Sequence, residues 1–125
     1  MSVIVTDEGF GPDTHDGAWF DLAADVDPGA LEGRIDALPA IRIGFDSFAD
    51  GRGFTLAARL RRMGFAGRLR ARGHVIADQY AMARRAGFDE VEIDDDLAAR
   101  QPEDQWRARA DWRSHDYRAR LRRPA

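Results

Sequence analysis

The chain has 125 residues, of which 44% are hydrophobic and 33% charged, with a formal net charge of −3 at pH 7. This length and balance are typical of a single globular domain with a modest core. The sequence contains neither cysteine nor lysine, which excludes disulfides, thiolate catalysis, cysteine-held metal clusters, Schiff-base chemistry and a Walker-type phosphate lysine. No apolar stretch is long enough to span a membrane, and residues 1–11 lack the pattern of a signal peptide. We therefore expect a cytoplasmic protein.

Charge is unevenly distributed along the chain. Residues 1–40 carry nine acidic residues and one arginine, whereas eight arginines and four acidic residues follow Asp96. A basic C-terminal region can bind nucleic acid or an acidic protein surface. A solvated helix that contacts the acidic half of the same chain explains the pattern more simply, so nucleic acid is not an expected partner.

The N-terminal region predicts strands and one helix. Alternating valines before an Asp-Glu-Gly turn indicate a short strand at residues 3–5, and residues 19–22 could form its partner strand. Asp27 and Pro28 have the form of a helix N-cap followed by proline at the first helical position. Apolar residues at helical spacing extend this predicted helix to Leu38, and the proline that follows would end it.

The middle of the chain predicts the order strand, helix, strand, helix, strand. Alternating apolar residues indicate strands near residues 41–45, 69–71 and 91–93. Two helical stripes of apolar residues lie between them and end at Gly64 and Gly87. Each glycine can adopt the left-handed conformation that commonly ends a helix.

The ends of these two helices repeat one pattern. Residues 61–65 (RRMGF) recur 23 positions later as residues 84–88 (RRAGF). The arginines favour the negative end of the helix dipole, and the phenylalanine can pack back onto the helix. Repeated units of this kind give parallel strands with right-handed crossovers. We therefore expect one α/β domain over residues 1–100, doubly wound or part-barrel-like, with an N-terminal strand region.

Residues 101–125 predict a basic and aromatic C-terminal helix or tail. Pro102 and the two acidic residues after it favour a helix start. Trp106 and Tyr117 share one face of this helix with an alanine and an arginine, and Trp112 is the third aromatic residue. These aromatics could dock on the domain, on a second copy or on a partner, and docking on their own domain is the simplest interpretation.

The loops that follow the predicted strands carry the chemistry-bearing side chains. Parallel strands place these loops at one edge of the sheet, where open α/β sheets and barrels bind ligands. Three loops, at residues 46–53, 72–74 and 94–96, would bring arginine, histidine and carboxylates together. The candidate ligand-binding residues are Asp50, Gly51, Arg52, Gly53, Thr55, Arg72, Gly73, His74, Asp78 and Gln79.

The stretch DGRG at residues 50–53 admits two interpretations. Asp50 could cap the helix while the glycines let the backbone approach a ligand. Arg52 would then lie beside a helix N-terminus whose free N–H groups attract anions, with the Thr55 hydroxyl nearby. Alternatively, Asp50 only caps the helix, and Arg52 pairs with it or with Asp46.

The remaining loops have alternatives of the same kind. His74 could donate a proton or contact an anion, or it could be an exposed loop histidine. Residues 94–96 (DDD) could bind a hard cation, although a helix cap explains one aspartate and solvation explains the others. Asp78 suits the start of the second helix, and with Gln79 it could also reach the loop edge. No metal ion and no cofactor is expected.

Three segments of the middle region resemble a bacterial family known as domain of unknown function 934. They are residues 48–55 (FADGRGFT), 69–79 (LRARGHVIADQ) and 84–89 (RRAGFD), whose order and spacing fit the family. The family usually has aspartate at the position of His74 and often has cysteine at that of Ala86, and its N-terminal region is longer. Its members are described as probable oxidoreductases involved in sulfite reduction.

The resemblance implies an association with sulfite reductase and assimilatory sulfur metabolism, without supplying a reaction. The chain has no cysteine and no flavin or nicotinamide fingerprint, so whether it is an enzyme stays open. We expect an accessory protein of assimilatory sulfite reduction that binds an anionic ligand or the reductase at the loop edge. The alternatives are an enzyme for a phosphorylated or carboxylated small molecule at the same edge, and an interaction module that uses the tail. A sulfite reductase or related redox protein, a small anion and a second copy of the chain are the candidate partners.

Overall fold

The computed structural model describes residues 2–115, and a six-stranded sheet forms its centre. The strands are β1 (Ser2–Thr6), β2 (Gly9–Gly11), β3 (Phe20–Ala23), β4 (Ala40–Phe45), β5 (Arg68–Gly73) and β6 (Glu90–Asp94). The α-helices of this part of the chain are α1 (Arg52–Arg62), α2 (Tyr80–Ala86), α3 (Asp95–Arg100) and α4 (Glu103–Arg107). None of these helices is long and apolar enough to cross a membrane.

The topology confirms the predicted α/β fold. The strand order is β2-β1-β6-β5-β4-β3. Strands β3, β4, β5 and β6 run parallel to one another, whereas β1 is antiparallel to both β6 and β2. The parallel strands lie side by side in chain order, so each new strand is added on the same side, as in a part-barrel. Right-handed crossovers then place α1 and α2 on one face of the sheet.

The face of the sheet that meets the helices carries the hydrophobic core. Alternate residues of each strand point to this inner face, among them Ile41 and Ile43 of β4 and Val91 of β6, which are all buried. Leu60 of α1 and Tyr80 of α2 are fully buried against them. The strand and helix periodicities of the sequence therefore correspond to one shared core.

The opposite face of the sheet is charged, and we call it the outer face. Its strand residues are Asp21, Arg42, Arg68, Arg70, Arg72, Glu90 and Glu92. The register places the first two of these beside each other and continues the row through Arg70 to Glu90. Parallel sheets usually bury both faces under helices, whereas here residues 12–19 lie over the outer face without forming a helix or strand.

The repeated helix ends adopt the predicted geometry. Gly64 has a φ of +103° and Gly87 a φ of +115°. The following phenylalanines, Phe65 and Phe88, are buried, and each donates its backbone N–H to the carbonyl five residues earlier, at 3.0 and 3.1 Å. This hydrogen-bond pattern is the Schellman motif. Both phenylalanines pack back onto the domain, as the repeat predicted.

The N-terminal region differs from its prediction in two respects. Strand β3 forms, but it pairs with β4 and not with β1. Asp21 lies opposite Arg42 in this register, and the ion pair between them adds a cross-strand contact. The predicted helix over residues 28–38 is instead two 3₁₀ turns, Pro28–Leu31 and Ile35–Ala37. Gly33, with a φ of +81°, interrupts the helical path between them.

The C-terminal region also folds differently from a single helix. Helix α4 ends at Arg107, and Tyr117 lies outside the described residues. Trp106 is buried edge-on against the Tyr80 ring, with 6.2 Å between ring centroids. The Arg84 guanidinium lies 4.8 Å from the Trp112 ring. A straight helix would point these two tryptophans roughly 120° apart, so the chain must bend for both to dock on its own domain.

Candidate functional site

The loops after β4 and β5 are joined into one surface, which we call the loop edge (residues 46–51 and 74–79). His74 donates its backbone N–H to the Phe45 carbonyl at 3.0 Å, and its Nδ1 lies 2.7 Å from the Asp46 carbonyl oxygen. Because a carbonyl only accepts, Nδ1 carries the proton and Nε2 is left for other contacts. The Phe48 ring packs 5.1 Å from the His74 ring, and Gln79 Nε2 donates to the Phe48 carbonyl. The first and second of the three predicted loops therefore meet here.

Asp50 and Arg52 form an ion pair at the start of α1. The Arg52 Nε and Nη2 atoms donate to the two Asp50 carboxylate oxygens at 2.9 and 3.0 Å. One of these oxygens also accepts the Arg52 backbone N–H, while Gly51 is the N-cap residue. The hydrogen bond from Arg52 holds the pKa of Asp50 below its ordinary value. The pairing that the simpler interpretation predicted is present, and the Arg52 side chain remains 66% exposed.

The glycines of this region have internal packing reasons. A Cβ on Gly53 would lie under 3.0 Å from three ring carbons of Phe45. Gly73 has a φ of +111°, and a Cβ there would collide with the Phe45 carbonyl oxygen. Only Gly51 of these three faces open space. The close approach at Gly53 is therefore made by Phe45, which gives this glycine a packing reason that needs no ligand.

A cavity of about 240 Å³ runs along the N-terminal half of α1, and we call it the α1 cavity. Its lining residues are Ala24, Asp25, Val26, Pro28, Arg52, Thr55, Leu56 and Arg59. Arg52, Thr55 and Arg59 are spaced so that they share one face of the helix. Arg59 forms no ion pair with any residue in the described range 2–115. The cavity therefore combines two arginines and a hydroxyl with an apolar wall and one aspartate.

A second cavity, of about 170 Å³, lies where β5, β6 and β1 end. It is lined by Ser2, Arg72, Gly73, His74, Glu92, Ile93 and Asp94. Arg72 is 55% exposed and contacts Glu92 at 3.3 Å, whereas the Asp94 carboxylate caps α3 by accepting the Leu97 backbone N–H at 2.8 Å. Two carboxylates oppose one arginine here, so this cavity is less favourable for an anion than the α1 cavity.

Asp78 and Gln79 belong to the loop edge but line neither of these two cavities. Asp78 accepts a hydrogen bond of 2.7 Å from Arg109, which lies after α4. Gln79 accepts the Ile76 backbone N–H with its side-chain oxygen, in addition to its bond to the loop edge. Nine of the ten predicted residues are thus divided between two cavities, the loop edge and a contact with the C-terminal region, whereas Gly53 packs against Phe45. Within residues 2–115, no group of three potential ligand side chains is arranged to hold a metal ion.

Two features of the site are absent from the sequence-based prediction. Arg59 belongs to the α1 cavity, and its spacing of seven residues from Arg52 could have indicated a shared helix face. The charged outer face was also missed. Its signal is the alternation of arginines at residues 68–72 and of glutamates at residues 90–92, which on strands places each set on one face.

Comparison with protein families identifies one match. A family model described as a bacterial protein of unknown function (DUF934) matches residues 19–125, which is most of the chain. The chain belongs to this family. The DUF934 match includes strands β3 to β6, helices α1 to α4 and both cavities' arginines, and it begins after β1, β2 and residues 12–18. Comparison with curated proteins and with solved structures finds no match.

Proposed function

We propose that this chain is an accessory protein of assimilatory sulfite reduction that binds a small oxyanion of the sulfite class in the α1 cavity. The observation that carries the proposal is the grouping of Arg52, Thr55 and Arg59 on one helix face beside an apolar wall. The choice of sulfite among oxyanions rests on the family resemblance of the segments around residues 48–55, 69–79 and 84–89.

The donors of the α1 cavity suit an oxyanion. Arg59 has no ion-pair partner within the described chain, and a guanidinium binds oxyanions through charge-assisted hydrogen bonds. Arg52 uses Nε and Nη2 for Asp50, which leaves Nη1 for a second acceptor. Thr55 adds a hydroxyl, and the positive end of the 11-residue helix α1 favours negative charge nearby. Asp25 also lines the cavity, so two cations face one carboxylate.

Binding can be measured as a rise in melting temperature. A ligand that binds only the native state stabilises it, by about 2.7 kcal/mol at 100 times its Kd. Sulfite, sulfate and phosphate are therefore each titrated, with chloride at the same ionic strength as the reference salt. The chain has no disulfide that sulfite could cleave. We expect the wild-type protein to respond and Arg59→Gln to lose most of the response. Arg62→Gln is the matched control, since Arg62 lies exposed on the same helix.

The Arg62→Gln control distinguishes binding at the α1 cavity from a general effect of removing an arginine. If Arg62→Gln and the wild type respond alike while Arg59→Gln does not, the oxyanion binds at the α1 cavity. An identical response of Arg59→Gln and the wild type contradicts the proposal, because the anion would then act without the residue that defines the site.

The loop edge is the surface proposed to contact the reductase. Phe48 is 40% exposed. Its ring packs beside His74, and it precedes by two residues the ion pair of Asp50 with the exposed Arg52. An exposed aromatic ring among basic residues is typical of an interface anchor. Immobilised protein should retain sulfite reductase of the same bacterium, and Phe48→Ala should lose it, whereas Met82→Ala, an exposed hydrophobic residue on α2, should not. Equal retention by both variants contradicts this surface.

A further inference from the structure

Arg70 is the centre of the charged outer face. Its side chain is 0% exposed, and its guanidinium contacts three carboxylates. Nε donates to Glu90 at 2.6 Å and Nη1 to Glu92 at 2.8 Å, both from the neighbouring strand β6. Asp13 accepts from Nη1 and Nη2 at 2.9 and 2.8 Å, in the two-pronged geometry typical of arginine with a carboxylate.

Asp13 lies on an irregular segment, whereas the two glutamates lie on strand β6. It belongs to residues 12–18, which we call the strap and which form no helix or strand. Besides Asp13, the strap is held by Thr14, whose hydroxyl accepts from Arg68 at 3.0 Å. The adjoining Trp19 ring lies 4.3 Å from the Arg70 guanidinium. The Asp13 side chain remains 44% exposed, in contrast to the nearly buried glutamates.

The paired strand residues of the outer face have one more positive charge than negative charges. Ion pairs join four arginines of the outer face to three carboxylates of the same strands, namely Arg42, Arg68, Arg70 and Arg72 with Asp21, Glu90 and Glu92. Asp13 supplies the fourth negative charge. A buried guanidinium that loses one of its partners is destabilised, so this position favours a carboxylate, although not necessarily that of Asp13.

The family match includes the strands of the outer face from β3 to β6 but not the strap that lies over them. Residues 19–125 match the family and include Trp19, Arg70 and the two glutamates. The strap lies before this range. The part of the chain that defines the family thus contains the arginine and its aromatic neighbour, whereas the carboxylate that completes them here comes from a segment outside the match.

We propose that Arg70, with Trp19 and Arg68 beside it, is a carboxylate-binding site that Asp13 fills internally and that an acidic peptide segment of a partner protein fills in its place. The strap is itself an exposed peptide, and it shows that a carboxylate and a neighbouring oxygen acceptor fit Arg70 and Arg68 together. A peptide offers both groups, whereas a free small carboxylate offers one. This site shares no residue with the α1 cavity.

The exchange conserves charge. An incoming carboxylate that displaces Asp13 keeps Arg70 paired and moves the Asp13 carboxylate into water. The internal carboxylate competes at an effective concentration set by its short tether, which is of millimolar order for flexible links. Removing Asp13 should therefore strengthen binding of an external acidic peptide. If the Asp13–Arg70 ion pair were only structural, its removal would not change the affinity for such a peptide.

The test compares the full chain carrying Asp13→Ala with wild type and with Asp16→Ala. Asp16 lies exposed in the same strap and makes no hydrogen bond or ion pair with another described residue. We expect Asp13→Ala to lower the melting temperature and sodium acetate, compared with sodium chloride at equal ionic strength, to restore most of the loss. Wild type and Asp16→Ala should not respond. Asp13→Ser, whose shorter side chain also leaves the carboxylate position vacant, provides the same comparison if the alanine variant does not fold.

A labelled hexaglutamate peptide, followed by fluorescence anisotropy, tests the occupant. It should bind Asp13→Ala at least about tenfold more tightly than wild type or Asp16→Ala, and a hexaglutamine peptide should bind none of them. Absence of acetate rescue in both Asp13 variants would overturn the site. Acetate rescue with equal peptide affinity for all three proteins would overturn the peptide as its occupant.

Discussion

Replacing Gly53 by alanine tests whether the glycines of the DGRG stretch serve packing or a ligand. The alanine Cβ would lie under 3.0 Å from ring carbons of Phe45, whereas non-bonded carbons pack at about 3.5–4.0 Å. The ring cannot easily move away. It is buried and packs on Phe54 and Phe88, with centroid distances of 5.0 and 5.9 Å.

The expected magnitude follows from two opposed effects. Forcing an extra carbon into a packed core costs about 1–3 kcal/mol, and alanine in place of glycine in a helix returns at most about 1 kcal/mol. Because the Cβ would collide with three carbons of one ring, the cost should be in the upper part of its range, about 2–3 kcal/mol, and Gly53→Ala should lower the free energy of unfolding by about 1–2 kcal/mol. Gly51→Ala is the matched control. Its Cβ faces open space and its φ of −74° suits any residue, so its effect should stay within about 0.5 kcal/mol.

Urea unfolding of both variants measures the difference. The midpoint of Gly53→Ala should fall while the slope with denaturant stays that of the wild type, since the surface exposed on unfolding is unchanged. Equal midpoints for Gly53→Ala and Gly51→Ala would refute the packing argument and return Gly53 to the ligand interpretation.

The remaining predictions concern the core, the C-terminal region and the outer face. Leu60→Ala removes a fully buried side chain and should cost about 2–5 kcal/mol in urea unfolding; no change in midpoint would contradict the placement of α1. Trp106→Ala should cost about 3–5 kcal/mol, seen as a lower melting temperature, whereas a free tail would give none. Arg70→Ala leaves Glu90 and Glu92 buried without their shared partner, so it should cost about 3–5 kcal/mol near neutral pH and less in acid, where Glu92 becomes protonated. Burial raises the pKa of Glu92, but the hydrogen bond from Arg70 and the charge of a second arginine lower it further, so that it lies below its ordinary value of 4.5. The unfolded chain then binds more protons, so this contribution is present above pH 4.5 and is lost as the pH falls below it; stability that rises on acidification would contradict the assignment.

Features that depend on neighbouring residues could be predicted from the sequence. The RRMGF and RRAGF segments predicted both left-handed glycines, because a helix end is determined by the few residues around it. Strands β4, β5 and β6 follow from their alternating apolar residues for the same reason. The predicted helix over residues 28–38 was wrong because Gly33 interrupts it, although glycine alone does not exclude a helix.

Features that depend on distant residues could not be predicted. Phe45 and Gly53 are separated by a loop, and no local pattern shows that the ring fills the space of a Cβ. The outer face joins Asp13, Arg70 and Glu92, which are 57 and 22 residues apart along the chain. Its charges alternate as solvated strand residues would, so only the sheet register shows that they form one network around the buried Arg70, Glu90 and Glu92.

The sequence predicted that loops would meet at one edge of the sheet, but not that the candidate residues would divide between two cavities. Parallel strands correctly indicated that the loops near Asp46 and His74 meet. The division between the α1 cavity and the cavity at Arg72 depends on how α1 and residues 24–28 pack together, which follows from tertiary structure. Ligand binding at these residues stays a prediction.

A titration of isotope-labelled protein with sulfite, followed by amide NMR shifts, tests the central proposal most directly. Oxyanion binding in the α1 cavity predicts saturable shifts at Arg52, Thr55 and Arg59 that sodium chloride at the same ionic strength does not cause. Amides around Gly73 serve as the internal comparison, because they line the other cavity. Saturable shifts centred on Gly73, or no saturable shifts at all, would contradict the proposal.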